Sequence, residues 1–185
     1  MGEPGTKELL SLAELDAAVG LRTGRKHVLS ILVENRPGVL TRIAGLFARR
    51  GFNIETLTVG PTEDDDVARI TLTVDGAVHP IDQVTKQLHK LVNVLKIRDL
   101  EPAGTVTREL ALFKVAAEGT ARSELLEFCE IFRGRVVDVT KRSVVLEVTG
   151  EEDKIDAFEQ VARPYGLIEM MRTGEIAMAR GRGET

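Results

Sequence analysis

The chain has 185 residues, of which 43% are apolar and 29% charged, and its formal net charge is −4. This length fits one or two small domains, and the composition is typical of a globular protein. A mildly negative chain offers no basic patch for nucleic acid, and an aromatic content of 4% without tryptophan argues against a stacking platform for bases. No apolar stretch reaches membrane-spanning length and no signal-peptide core is present, so we expect neither insertion nor export. The single cysteine, Cys129, excludes an intrachain disulfide and favours a reducing, cytoplasmic location.

Within residues 1–25, Ser11 could cap a short docking helix that ends at Gly20, but we interpret the segment as a flexible tail. Residues 28–33 then alternate as a strand, and apolar residues at helical spacing follow Pro37. That helix is predicted to end after Arg49 and Arg50, with Gly51 just beyond it, as helix termini prefer.

The first unit continues with strands at residues 52–61 and 68–74, joined by an acidic tip at residues 63–66 that we interpret as a solvated hairpin loop. The second of these strands should face a core on one side and be wetter on the other. An amphipathic helix at residues 81–91 and a strand at residues 92–100 complete the order βαββαβ. This order is typical of the ferredoxin-like fold.

The same order follows again after a linker at residues 101–104. Strands are predicted at residues 109–116, 136–139, 144–148 and 167–172, and helices at residues 125–132 and 155–162. An offset of 83 aligns Gly51 with Gly134 and residues 28–33 with residues 111–116. We therefore predict an α+β protein with a tail at 1–25, a first ferredoxin-like unit at 26–102 and a second at 106–181.

The turn between the first strand and the first helix is the best candidate for a binding site. Pro37 suits a first helical turn, and Gly38 lets another molecule approach the backbone closely. The first N–H groups of a helix lack intrahelical partners and lie at the positive end of its dipole, so they suit a carboxylate. The second unit has different residues at 118–121, which predicts a different role for it.

Catalytic and metal-binding patterns are absent from the sequence. None of the three histidines has a second histidine or cysteine at ligand spacing, and no Ser-His-acid set or glycine-rich phosphate loop occurs. Arg36 and Asn53 could serve an acylphosphatase-like reaction, but the glycine-framed loop of that family is missing. An RNA-recognition module shares the topology, but it needs aromatic residues on the sheet, where this chain has aliphatic residues and threonine.

Several blocks of the sequence resemble a known family. They are ENRPGVL at residues 34–40, GFNIETLTV at 51–59, KQLHKLVNV at 86–94, RELAL at 108–112, EIFRG at 130–134 and RVVDV at 135–139. The first two resemble an ACT domain, and all of them in this order resemble the small regulatory subunit of acetolactate synthase over residues 27–181.

This resemblance implies a non-catalytic subunit that activates a large catalytic subunit and confers feedback inhibition by a branched-chain amino acid, usually valine. Thiamine diphosphate, Mg²⁺ and FAD would belong to the large subunit and no cofactor to this chain. Members of the family form homodimers through their ACT domains, with the effector between two chains. A free-standing ACT sensor that acts on another partner, such as a transcription regulator, is the alternative, although no helix-turn-helix or basic face supports it.

The resemblance also implies an effector site. Its residues fall on the first loop and on the strand predicted to face it, and they are Asn35, Gly38, Val39, Leu40, Asn53 and Ile54. Backbone N–H groups at Gly38 and Val39 could bind the carboxylate, and the amides of the two asparagines could contact both charged groups of the amino acid. Leu40 and Ile54 could bound an apolar pocket. Arg36 is left out, because that position varies in the family.

Overall fold

Two runs of strands and helices follow one another along the chain. A computed structural model describes residues 26–75, 80–116, 118–181 and 185, so the predicted tail lies outside the described residues. The first run contains β1 (Lys26–Glu34), α1 (Val39–Arg50), β2 (Thr56–Pro61), β3 (Val67–Asp75), α2 (Ile81–Leu88) and β4 (Val94–Leu100). A short 3₁₀ helix, Pro102–Gly104, leads into the second run. That run contains β5 (Thr105–Val115), α3 (Gly119–Ile131), β6 (Arg135–Val139), β7 (Val144–Gly150), α4 (Glu152–Ala162), β8 (Leu167–Arg172) and β9 (Ile176–Ala179).

Each run forms its own antiparallel sheet with the same strand order. The first sheet has the order β2-β3-β1-β4, and the second has the order β6-β7-β5-β8 with β9 added beside β5. Helices connect the strands as the ferredoxin-like topology requires. The prediction of an α+β protein with two tandem ferredoxin-like units is therefore confirmed, whereas the boundaries at 26–102 and 106–181 stay a prediction.

Each sheet buries one face beneath the two helices of its own unit. The residues of the first core are Leu29, Ile31, Val33, Val39, Ile43, Leu46, Phe47, Ala68, Ile70, Leu72, Val74, Val84 and Leu88. Those of the second are Ala111, Phe113, Val115, Leu125, Cys129, Val144, Leu146, Val148, Ile155, Phe158 and Ala162. Because burial of a leucine or phenylalanine side chain contributes about 1.5–3 kcal/mol, each core holds its own strands and helices together.

The internal repeat has an offset of 82 in its first strand and helix, so the predicted offset of 83 is wrong. Adding 82 moves the buried side chains of β1 at 29, 31 and 33 onto those of β5 at 111, 113 and 115. It also moves Ile43 and Phe47 onto Leu125 and Cys129. The register shift between β1 and β4 after residue 32 then coincides with the register shift between β5 and β8 after residue 114. A slip of one residue turns every side chain of a strand to the other face, so only the even offset keeps both cores intact.

The two units also end their first helix differently. Gly51 closes α1 in the left-handed conformation, with φ 69°, as predicted. In the second unit Arg133, with φ 53°, takes that conformation in place of Gly134. Gly134 has another function, because a Cβ atom there would lie 2.8 Å from Cys129 Sγ and 2.9 Å from the Glu147 carbonyl oxygen. The glycine is thus required by close packing rather than by the helix end.

The face of the first sheet opposite its helices is covered, so the prediction of a wetter face on β3 is wrong. Thr71 and Thr73 are buried there to the same degree as the core residue Leu72 between them. The second unit lies against this face. Gly174, with φ 81°, places its backbone where a Cβ atom would be 3.1 Å from Thr58 Oγ1, and Thr58 Oγ1 donates to the Thr173 carbonyl oxygen at 3.2 Å.

The cover is completed by β9, a strand that was not predicted from the sequence. It pairs with the first four residues of β5, from Thr105↔Ala179 to Arg108↔Ile176, ahead of the part of β5 that joins β7. The prediction started this strand at residue 109, because residues 105–108 lack clear alternation. The C-terminal part of β5 therefore belongs to the second sheet, whereas its N-terminal part lies in the contact between the two units.

Candidate functional site

The loop between β1 and α1 is a tight turn that sets the start of the helix. Gly38 has φ 85° and ψ −5°, and the Val39 N–H donates to the Arg36 carbonyl oxygen at 3.4 Å. These values describe a type II turn with Pro37 at its second position and glycine at its third, where positive φ is needed. The prediction that Pro37 lies within the first helical turn is wrong, because the left-handed Gly38 places the helix start after it.

Several N–H groups remain available where α1 begins. The first helical hydrogen bond runs from the Arg42 N–H to the Gly38 carbonyl oxygen at 3.1 Å. Among the described residues, the N–H groups of Gly38, Leu40 and Thr41 donate to no backbone carbonyl. The Val39 N–H was predicted to bind the carboxylate as well, but it donates to the Arg36 carbonyl oxygen within the turn. A Cβ atom on Gly38 would meet nothing within 4 Å, so the space in front of the unpaired N–H groups is open. Unpaired N–H groups at the positive end of a helix dipole are suited to a carboxylate.

Asn35 is held in place by the acidic hairpin tip. Its backbone N–H donates to the Asp66 carbonyl oxygen at 2.7 Å, and its side-chain Nδ2 donates to the Asp65 carbonyl oxygen at 2.9 Å. The Oδ1 atom is thereby oriented as an acceptor. The tip is an exposed hairpin loop, as predicted. Its role in fixing Asn35 was missed, because the contact joins residues 30 positions apart and uses backbone carbonyls.

The apolar residues of the predicted site lie in different environments. Val39 is buried in the first core, whereas Leu40 is 41% exposed beside the turn. Val59, on the outer strand β2, is 47% exposed and was not among the predicted site residues. Ile54 is half-buried and packs against the first core.

Asn53 and Ile54 lie far from the turn within one chain. They belong to the loop after α1, so the prediction that they stand on a strand facing the turn is wrong; β2 begins only at Thr56. The turn precedes α1 and this loop follows it. A helix of 12 residues is about 18 Å long. One small ligand therefore cannot contact Gly38 and Asn53 of the same chain.

Charged side chains lie where the two units meet. Lys26 donates to Glu152, and Thr73 Oγ1 donates to Glu175 Oε2 at 3.4 Å. Burial raises the pKa of the Glu175 carboxyl, with the Lys26 ammonium opposing the shift and the Glu152 and Glu109 carboxylates adding to it. These contacts tie the first unit to the second.

An ion-pair cluster lies in the second unit beside this contact. Arg172 donates to Glu109, with Nε 3.0 Å from Oε2, and to Asp156 Oδ1 at 2.5 Å. Glu109 is only 2% exposed. Within the described residues, no group of three His, Cys, Asp or Glu side chains could hold a metal ion, and no helix could span a membrane.

Comparisons with known proteins match both units. A family model described as "AHAS small subunit-like ACT domain" matches residues 29–96, and one described as "Small subunit of acetolactate synthase" matches residues 108–181. The chain is 53% identical over 156 residues to the "Probable acetolactate synthase small subunit" of Methanothermobacter thermautotrophicus, covering 84% of this chain and 93% of that one. The chain belongs to the acetolactate synthase small-subunit family.

Two further relatives support this family assignment. The chain is 48% identical over 163 residues to the acetolactate synthase small subunit of Mycobacterium leprae, covering 88% of this chain and 95% of that one. The crystal structure of the acetolactate synthase small subunit from Thermotoga maritima superposes with a TM-score of 0.79 at 40% identity, covering 86% of this chain and 99% of that one. The family resemblance, the ACT domain in the first unit and the connection with branched-chain amino-acid biosynthesis are thereby confirmed, and the relatives' names are consistent with a regulatory, non-catalytic role.

Proposed function

We propose that this chain activates the catalytic large subunit of acetolactate synthase and makes it sensitive to inhibition by a branched-chain amino acid, with valine as the main effector. Thiamine diphosphate, Mg²⁺ and FAD are assigned to the large subunit, and the assembly to the cytoplasm. The open turn at Gly38 is the observation that carries the proposal, because it offers unpaired N–H groups where an amino-acid carboxylate can dock.

The effector site needs two copies of the chain. β1 and β2 are parallel to each other, since both run antiparallel to β3. The end of β2 therefore lies on the same side of the sheet as the Gly38 turn, and Asn53 lies at the opposite side. The outer edge of β2 is unpaired among the described residues. Antiparallel pairing of two β2 edges places the start of one β2 beside the end of the other, and so brings Asn53 of one copy toward Gly38 of its partner.

Each part of a bound amino acid then has a partner. The carboxylate accepts from the N–H groups at Gly38 and Leu40, and the ammonium donates to the Oδ1 atoms of Asn35 and the second copy's Asn53. Leu40 and Val59 line the side-chain pocket, with Ile54 from the second copy. One methylene in such a pocket changes the free energy of binding by about 1–3 kcal/mol, so valine, leucine and isoleucine should differ in affinity only moderately.

Regulation follows from linkage. An effector that binds between two copies favours the arrangement of the dimer that completes its site. If the large subunit prefers a different arrangement, effector binding weakens large-subunit binding, and large-subunit binding weakens effector binding by the same coupling free energy. The second unit, which lacks the Asn35–Gly38 turn, is proposed to share in dimerisation and large-subunit contact.

The test is reconstitution with the large subunit, using the rate of acetolactate formation as the readout. Addition of the chain should raise the rate, and valine should lower it again. Asn35→Ala and Asn53→Ala should each weaken inhibition without abolishing activation.

Mixed dimers then test whether the site is shared. A dimer of one Asn35→Ala chain and one Asn53→Ala chain carries one intact site and one doubly altered site, so valine inhibition should return in part. If each site lay within a single chain, both sites would carry one substitution and valine inhibition would not return. Failure of the chain to bind or activate the large subunit, with recovery of a different partner in a pull-down, would favour a free-standing ACT sensor instead.

A further inference from the structure

A cavity of about 400 Å³ lies between the covered face of the first sheet and β9. This volume falls within the roughly 300–1,000 Å³ range of small-molecule sites. One wall is the strand pair β2 and β3, and the other is β9 with the start of β5. The cavity is separate from the Gly38 turn, which does not line it.

One wall of the cavity is apolar and open. Ile176 and Met178 of β9 line it together with Val106 of β5. Ile176 is 57% exposed and Met178 is 66% exposed, which is high for adjacent apolar side chains on one strand. A ligand with an aliphatic chain would remove this apolar surface from water, at about 25 cal/mol per Å².

The opposite wall supplies a positive charge. The guanidinium of half-buried Arg69 donates to Ser30 Oγ at 2.8 Å, and within the described residues it has no carboxylate partner. Arg108 also lines the cavity, but it is exposed and paired with Glu151 at 3.3 Å. A guanidinium has five N–H donors and binds carboxylates in a fork geometry, so Arg69 retains most of its capacity.

The charges of the lining select the class of ligand. Glu63, on the hairpin tip, is the acidic residue of the lining and stands against two arginines. Because Arg108 is paired with Glu151, the Arg69 guanidinium is the cation of the lining that a monoanion would neutralise. A zwitterionic amino acid would leave that charge uncompensated, and a neutral molecule would leave the Arg69 donors unused. The Thr58 and Thr71 hydroxyls offer further hydrogen bonds.

We propose that this cavity binds a small aliphatic monocarboxylate, a class that includes branched-chain 2-oxo acids, with its carboxylate on Arg69 and its chain against Ile176 and Met178. Such a ligand contacts both units at once. Its binding would stabilise their contact by an amount that grows with the logarithm of the ligand concentration above Kd. The chain would then carry a second ligand site, distinct in place and in chemistry from the effector site.

The proposal is tested by titration calorimetry on the full chain with isovalerate as the probe. Isovaleramide has the same shape without the charge, and valine adds an ammonium group. We expect saturable binding of isovalerate and at least roughly ten-fold weaker binding of the other two, because a charged hydrogen bond is lost or an ammonium meets a cationic lining. The measurements are made in the Gly38→Asp variant, in which binding of valine at the effector site is weakened.

Variants locate the site. Arg69→Met should weaken isovalerate binding at least roughly ten-fold. Arg98→Met is the matched control, because Arg98 stands beside Ser30 on the same sheet face but does not line the cavity. It should leave binding unchanged. If Arg69→Met lowers stability, Arg69→Gln keeps a donor for Ser30 while removing the charge, and should show the same loss.

Three results would overturn the proposal. They are an absence of saturable isovalerate binding, equal binding of isovaleramide, and unchanged binding by both Arg69 variants. Met178→Asp separates a ligand site from an interface between copies. It should abolish isovalerate binding while the oligomeric state in sedimentation stays that of the parent. Dissociation of the oligomer without any isovalerate binding by the parent would make this wall an interface. If the chain binds isovalerate as expected but confers no response to valine, the proposed function is rejected and the cavity proposal stands.

Discussion

Gly38→Asp tests the proposed effector site most directly, because its local effects can be estimated from the structure. Gly38 has φ 85°, and a left-handed conformation costs a side chain roughly 1–2 kcal/mol, less for aspartate than for most residues. A Cβ atom there meets nothing within 4 Å, so no steric clash is added. The change in valine affinity should therefore come from charge.

The expected size of that effect follows from Coulomb's law. Two carboxylates about 4 Å apart repel each other by roughly 4 kcal/mol at an effective dielectric constant of 20. Because the turn is exposed, solvent and salt should reduce this to about 1–2 kcal/mol. The valine concentration for half inhibition should then rise roughly five- to thirty-fold, while activation of the large subunit is retained.

Gly119→Asp provides the matched control in the second unit. Gly119 also has positive φ, 58°, and a Cβ atom there also meets nothing within 4 Å. It adds the same strain and the same charge away from the proposed site. Both variants should lower the melting temperature by similar amounts, but only Gly38→Asp should change the response of acetolactate formation to valine. A normal valine response of Gly38→Asp, or an equal change in both variants, would refute the site.

Three further predictions concern stability, each measured by thermal or denaturant unfolding of the full chain. Gly134→Ala should destabilise the protein by about 1–3 kcal/mol through overpacking. Arg133→Gly removes a side chain from a left-handed residue and should change stability by less than about 1 kcal/mol. A larger effect of Arg133→Gly than of Gly134→Ala would contradict the helix end described above. Glu175→Gln should stabilise the protein at neutral pH. Because the pKa of the Glu175 carboxyl is raised in the folded protein, this carboxyl lowers the free energy of unfolding as the pH rises from its unfolded pKa through its folded pKa. The gain should vanish below about pH 4, and a gain that persists there would argue against ionisation as its cause. Glu109→Gln should destabilise by about 1–3 kcal/mol, because it removes the most buried carboxylate partner of Arg172 while Asp156 remains; a loss near zero would mean that water replaces that partner.

The predicted elements were mostly confirmed because their signals are local. Alternation identified β1, β3 and β7, and helical spacing with Gly51 at its end identified α1. The turn at residues 35–38 was found from its proline and glycine, although the helix start was placed too early. These features depend on neighbours along the chain, and hydrophobic periodicity and turn chemistry report on such neighbours directly.

The errors share another cause, which is that each depended on residues distant in sequence. The offset of the repeat is decided by which face of β5 meets α3, and a glycine at each helix end suggested the odd number instead. Asn53 and Ile54 were placed on a strand facing the turn, because a resemblance transfers residues and does not show where they lie within one chain. Their separation by the length of α1 is seen only in the structure, and it is the reason that we propose a site shared by two copies.

The sequence by itself therefore determined the class of fold, the order of the elements up to β8, the position of the turn at residues 35–38 and the family. Tertiary structure decided which residues meet. It revealed β9, the cover over Thr71 and Thr73, the anchoring of Asn35 by the hairpin tip and the cavity beside Arg69. Local patterns fix the conformation of a segment, whereas the contact between two units depends on surfaces that no single segment contains.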